Sequence, residues 1–283
     1  MSIHTFKIVT LGAFLLATQV HAELLFYDGF GLGGNQEILS SDNLLGADSK
    51  TWVRVDVPGG FSFPDFQLRY DAPQPGDVSY FFPSNVPLPY AAGVTQRLNE
   101  YGNSMHHKEL SDRTINLGAD GLYFLSFILR SFLPDSDGEA TISFVAPSAA
   151  LHFGYRFSDC FTIATSAWNE MAYQGAYIDS STTYEGNTTY FLVVMIEASA
   201  NGPDKIYLKA YNAGSDEVAS SERHLNGSGS DVSEWTVISE IESEEVFDRI
   251  GINSSGIGYF TLDEIRVGTT WQDVTGLSES ENP

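Results

Sequence analysis

Apolar and polar residues alternate at period two along most of this chain, and no other feature limits its possible folds as much. Leu151, Phe153, Tyr155 and Phe157 share one parity around His152, Gly154 and Arg156, and Val53, Val55 and Val57 flank Arg54 and Asp56. Successive side chains of a strand point to opposite faces, so each segment predicts a strand with one apolar and one wet face. Two denser runs, Leu122–Leu129 and Tyr190–Ile196, predict central strands covered on both faces. Further strands are expected over 24–27, 140–145, 161–165, 205–211, 235–238 and 246–252, separated by turns such as Asn201-Gly202-Pro203-Asp204 and Asn226-Gly227-Ser228-Gly229. Many short strands at such spacing predict an all-β fold of two packed antiparallel sheets. Helical spacing occurs once, at Val94, Leu98 and Tyr101, and predicts one short helix.

Three places break the rhythm. Residues 71–93 are rich in proline (Pro73, Pro75, Pro83, Pro87, Pro89) and predict a long irregular excursion. Residues 99–112 are polar, and His106-His107 within them reads as a surface loop, since adjacent rings in an extended chain point apart rather than converging on a metal. In the closing strand Phe260 and Leu262 share one parity while Ile265 and Val267 share the other, which predicts a bulge at Asp263-Glu264 that re-aims a carboxylate.

Composition narrows the setting. Residues 1–22 carry Lys7 as their only charge, an apolar run at Ile8–Ala17 and small residues at Val20 and Ala22, the pattern of a cleavable export leader. Its apolar core is too short to span a bilayer, and no later run reaches the roughly 18 apolar residues a spanning helix needs. The expected organisation is a leader at 1–22, one sandwich domain at 23–275 and a polar tail at 276–283. The location expected is extracellular, periplasmic or at the cell surface. Cys160 stands alone and reads as a packed residue rather than half of a disulfide. The net charge of −23, from 14 basic and 37 acidic residues, argues against nucleic acid and anionic membranes as partners. The Asn-x-Ser/Thr triplets at Asn187, Asn226 and Asn253 read as marks of polar loops.

The opening Leu24-Leu25-Phe26-Tyr27-Asp28-Gly29-Phe30, the strands Leu122-Tyr123-Phe124-Leu125-Ser126-Phe127 and Tyr190-Phe191-Leu192-Val193-Val194, and the closing Phe247-Asp248-Arg249-Ile250-Gly251 stand in a familiar order. Together with Asp263-Glu264-Ile265-Arg266-Val267-Gly268-Thr269-Thr270-Trp271, they resemble a group of exported bacterial proteins of the Verrucomicrobia and Planctomycetes type. That group looks like laminin G-type members of the concanavalin A-like lectin/glucanase superfamily. The resemblance covers nearly the whole chain beyond the leader. It implies a jelly-roll sandwich with first and last strands adjacent, and an extracellular role in carbohydrate binding. In related jelly rolls a carboxylate near the first strand and one in the last often help hold a structural calcium, and Asp28 and Asp263 occupy comparable places. Calcium wants six to eight oxygens, so backbone carbonyls and water would have to complete the shell.

Catalytic patterns are sparse. A retaining glucanase of this superfamily would resemble Glu-x-Asp-x-x-Glu on one strand, and the chain lacks it. The run Glu240-Ile241-Glu242-Ser243-Glu244-Glu245 reads as a solvated edge or loop. No nucleophile elbow, phosphate loop, His-Glu-x-x-His or paired-cysteine spacing is present. Sugar rings stack on flat aromatic faces while amides and hydroxyls satisfy their hydroxyl groups. The aromatic residues in polar or proline-rich settings are Tyr80, Tyr90, Tyr101, Trp168, Tyr173 and Tyr177, with Asn169 beside the tryptophan. The function expected is a non-catalytic module binding glycan. The alternatives are a structural or adhesive protein that contacts other proteins, and a hydrolase or lyase with a dispersed site.

Overall fold

The computed structural model describes residues 23–28, 53–55, 68–71, 95–98, 104–110, 113–131, 138–156, 160–170, 172–186, 188–213, 215–225, 234–255 and 260–277. In chain order the strands are β1 (Leu24–Asp28), β2 (Val53–Val55), β3 (Leu68–Asp71), β4 (Thr95–Leu98), β5 (Ser104–Glu109) and β6 (Ile115–Asn116). There follow β7 (Gly121–Ser131), β8 (Glu139–Val145), β9 (Ala149–Arg156), β10 (Cys160–Ala167), β11 (Ala176–Thr183) and β12 (Thr189–Ala198). The last are β13 (Asp204–Asn212), β14 (Val237–Ile241), β15 (Val246–Phe247), β16 (Arg249–Ser255) and β17 (Phe260–Gly268), before a one-turn helix α1 (Trp271–Thr275).

The strands build an antiparallel sandwich. One sheet runs β14-β13-β12-β7-β17-β4-β3, with β1 also paired to β17; the other runs β11-β10-β9-β8-β16-β5-β2. This is the two-sheet jelly-roll sandwich that the alternation and the resemblance predicted, with first and last strands side by side. The apolar parities of both sheets meet in one core. Leu125, Phe127, Leu129, Leu192 and Val194 come from the eight-stranded sheet, and Ile142, Phe144, Phe153, Phe161 and Ile252 from the seven-stranded one.

The two densest apolar runs became β7 and β12, neighbours in mid-sheet, and a second apolar layer explains why neither has a wet face. Phe124, Ile128, Phe191, Val193 and Met195 on the outer side lie under Trp235, Trp271 and Val274. The polar tip of Trp271 is satisfied as well, its indole N–H donating to the Ala219 carbonyl at 2.9 Å. The helix that brings Trp271 there is stopped at both ends. Thr270 and Asp273 form a reciprocal capping box, and Gly276 closes it at φ 73°.

The bulge lies where the parity flip placed it. Pairing of β17 with β7 slips between Asp263 and Arg266, and Glu264 sits at φ 52°. The re-aimed carboxylate is that of Glu264, which is 1% exposed, accepts from the Tyr27 hydroxyl at 3.1 Å and pairs with Arg266 at 3.0 Å.

Four expectations are corrected. The helix predicted at Val94–Tyr101 is replaced by the strand β4, because Gln96 and Arg97 pair with Leu262 and Thr261 of β17 and tertiary pairing overrides a short helical spacing. His106-His107 is no surface loop: both lie in β5 and are buried, the rings on opposite faces. The face of β9 predicted to be wet is covered, with His152 at 0% and Arg156 at 8% exposure. Asn253, read as part of a polar loop, is a buried residue of β16. The predicted solvated edge or loop at 240–245 stands, since β14 ends at Ile241 and Glu240, Glu242 and Glu244 are exposed. The leader, most of the proline-rich excursion, Asn187 and Asn226 lie outside the described residues. Among the described residues no helix is long and apolar enough to cross a membrane.

Candidate functional site

The register of the seven-stranded sheet places Tyr177, Ala164, His152, Ser143, Gly251 and His107 in one row across the strands. Five steps between strands make this row about 24 Å long. All six positions are on the outer face, because the neighbouring parity (Ile163, Phe153, Phe144, Ile250, Ile252) fills the core. The next row on the same face is Asp179, Thr162, Gly154, Thr141, Asn253 and Met105. Around His152 and Asn253 the side chains in the middle of the two rows are small or hydroxyl-bearing, so these polar groups lie close to the sheet.

These groups bond mostly to one another. The Asn253 amide nitrogen lies 2.8 Å from Ser143 Oγ, 3.3 Å from Thr141 Oγ1 and 3.3 Å from His152 Nδ1. His152 Nε2 lies 2.8 Å from Ser166 Oγ. An amide donating to Nδ1 fixes the proton of a neutral imidazole on Nε2, which then donates to the serine. Burial, together with the neighbouring His107, lowers the His152 pKa to about 3, so the ring is uncharged at neutral pH. Burial and then Arg249 lower that of His107 to about 4, against a raising influence from Asp248. Among the described residues neither ring nitrogen of His107, nor Asn253 Oδ1, nor Ser255 Oγ has a hydrogen-bond partner.

The β10–β11 connection covers this floor. Its 3₁₀ turn, Ala172–Gln174, packs on β8, β9, β10 and β11. The Ala172 amide donates to Glu139 Oε1 at 3.1 Å, and Glu139 is itself buried. Gly175 closes the turn because a Cβ there would run into the Thr165 carbonyl.

The connection also carries the candidate residues that the structure brings together. Trp168 and Asn169, both half-buried, begin it, Tyr173 lies in its 3₁₀ turn and Tyr177 stands where it enters β11. The side chain of Tyr173 is outside the described atoms, and Tyr80, Tyr90 and Tyr101 lie outside the described residues. Tyr177 is 49% exposed, with the Arg156 guanidinium 3.1 Å from its ring centre on one side. Asp179 locks that guanidinium with two contacts, at 3.2 and 2.8 Å. Trp168 has a comparable setting: Arg249 lies 5.9 Å from its ring centre and the His107 ring is tilted against it at 6.4 Å. A cation against one side of an aromatic ring fixes the ring's orientation.

Arg156, Asp179 and Arg249 were not singled out from the sequence. Arg156 and Asp179 are 23 positions apart, and only the pairing of β9 through β10 to β11 joins them. Asp28 and Asp263 lie on adjacent strands, Asp28 opposite Ile265 and Asp263 opposite Ile128, and their side chains are outside the described atoms. Among the described residues no group of three or more His, Cys, Asp or Glu could hold a metal ion. Cys160 is half-buried.

No protein-family model matches the chain, and no curated protein matches it in sequence. Solved structures resemble it in shape. The globular domain of T. cruzi calreticulin is 12% identical, with a TM-score of 0.49 over 90% of this chain and 91% of that one. The endo-β-1,4-glucuronan lyase from the fungus Trichoderma reesei is 10% identical, with a TM-score of 0.43 over 89% and 98%. The carbohydrate binding module CBM66 from Bacillus subtilis is 9% identical, with a TM-score of 0.37 over 63% and 88%. The fold assignment rests on the strand pairing described above, and no residue of the site is carried over from these proteins.

Proposed function

We propose that this protein is an exported, non-catalytic glycan-binding sandwich of the laminin G-like, concanavalin A-like kind, and that it binds through the outer face of its seven-stranded sheet. The observation that carries the reading is Tyr177: half exposed, set against Arg156 and held there by Asp179. A ring fixed in this way offers a sugar a flat apolar platform at little cost in side-chain entropy. Trp168 with Arg249 supplies a second platform, and Asn169 brings an amide beside it. The ligand class is a carbohydrate whose rings stack on these aromatics.

The test is binding of the chain to a broad array of polysaccharides, followed by titration of the best ligand. Tyr177→Ala and Trp168→Ala are each expected to weaken binding roughly tenfold, the loss of one stacking contact. Full affinity in both variants, or silence across the array, overturns the reading and favours the structural or adhesive role. A calcium ion held by Asp28 and Asp263 belongs to the same proposal. Added calcium is expected to raise the melting temperature reversibly, and an unchanged melting curve after chelation and calcium addition removes it.

A further inference from the structure

Residues at the two ends of the described chain meet at Glu23. Its backbone nitrogen donates to Thr269 Oγ1 at 3.1 Å and to Asp273 Oδ2 at 3.2 Å. Its carbonyl accepts from the Thr269 amide at 3.1 Å, and its carboxylate forms an ion pair with Arg113. Asp273 Oδ2 also takes the amides of Thr269 and Thr270, at 3.1 and 2.9 Å. The seat has been kept clear for this carboxylate, since a Cβ on Gly268 would run into the Asp273 side chain.

In an unprocessed chain the nitrogen at this seat is an amide with a single proton to share between two acceptors. Hydrolysis of the Ala22–Glu23 peptide bond consumes one water, leaves a carboxylate on Ala22 and turns the Glu23 nitrogen into an ammonium with three protons. An ammonium satisfies Thr269 Oγ1 and Asp273 Oδ2 at once and adds a charge-assisted hydrogen bond to the carboxylate. We infer that Glu23 is the mature N-terminus and that its ammonium, once freed, docks on Asp273, fastening β1 to the end of β17 and to helix α1. This rests on the export reading, with its leader at 1–22, and it adds a structural consequence of processing to it.

The pH dependence has a definite sign. A free α-amino group has a pKa of about 8, and a carboxylate partner raises it in the folded state. The added stability is therefore complete below about pH 8 and disappears as the pH rises through the folded-state pKa. An amide in the same place contributes no such dependence.

The experiment compares the full chain beginning at Met1, a chain beginning at Glu23 and a chain beginning at Ala22, each alone and with Asp273→Asn. The asparagine keeps an acceptor oxygen for the capping amides while removing the charge. At pH 7 the Glu23 chain is expected to melt about 2–4 °C above the other two, the shift that about 1 kcal/mol produces in a domain of this size. The gap should close above pH 10 and be absent in the Asp273→Asn set. Equal melting temperatures for the three chains at pH 7, or a gap that survives in Asp273→Asn, overturns the docking. Intact mass of the exported protein tests the export reading separately: a terminus at Glu23 supports the processing site, and any other terminus, or an unprocessed chain, overturns it.

Discussion

His107 and His152 are neutral residues held in a buried polar layer, and this makes the fold sensitive to acid. Their folded-state pKa values of about 4 and about 3 lie below the ordinary value of 6.5. Between these limits the unfolded chain binds protons that the folded chain refuses, so stability is complete above pH 6.5 and falls as the pH drops toward 4. A shift of this size corresponds to about 3 kcal/mol for His107. Denaturant melts at pH 7 and pH 4.5 should show the loss, and His107→Gln should reduce the difference between the two. A glycine in the same layer is equally exacting. A Cβ on Gly154 would meet the Ala140 carbonyl of the neighbouring strand, which cannot rotate away as a side chain can. Gly154→Ala is expected to lower stability by about 2 kcal/mol or more through overpacking against backbone, read as a lower denaturation midpoint with an unchanged slope.

Among the elements, β17 departs from regular geometry. Its bulge turns Glu264 to meet Tyr27 and Arg266, linking the last strand to the first by side chains as well as by backbone pairing. Removing the carboxylate would leave a nearly buried guanidinium without its carboxylate partner, and it would also leave an alanine at φ 52°. Glu264→Ala is therefore expected to cost about 3 kcal/mol, whereas Glu264→Gln keeps an acceptor for Tyr27 and should cost less. Chemical denaturation of the two variants checks the order, and equal losses would mean that the charge contributes little. The parity flip from Phe260–Leu262 to Ile265–Val267 disclosed this bulge in advance because side-chain parity is a local property of the strand. By contrast, β4 is too short for its pattern to outweigh pairing with β17, and the helical spacing there was misleading.

For the molecule as a whole, three layers matter: the inter-sheet core, the polar outer layer of the seven-stranded sheet, and the apolar outer layer of the eight-stranded sheet. Trp271 anchors the last of these, 4% exposed and edge-on to both Phe124 and Trp235. Truncating so large a buried side chain leaves a cavity and strands the Ala219 carbonyl. Trp271→Ala is expected to destabilise the protein by about 3–5 kcal/mol, measured by urea unfolding. The all-β class, the sandwich, the central places of β7 and β12 and the bulge were all legible in the sequence, since each follows from the spacing of apolar residues along a few consecutive positions. The candidate site was legible only in part. Trp168, Asn169 and Tyr177 could be singled out because an aromatic or amide in polar surroundings is a local signal. That Arg156 lies against Tyr177, that Asp179 holds it there, that His107 belongs to a strand and that the polar side of β9 is covered all depend on which strands pair and what packs over them. Pairing and coverage are contacts between residues far apart in the chain, and only the tertiary structure decided them.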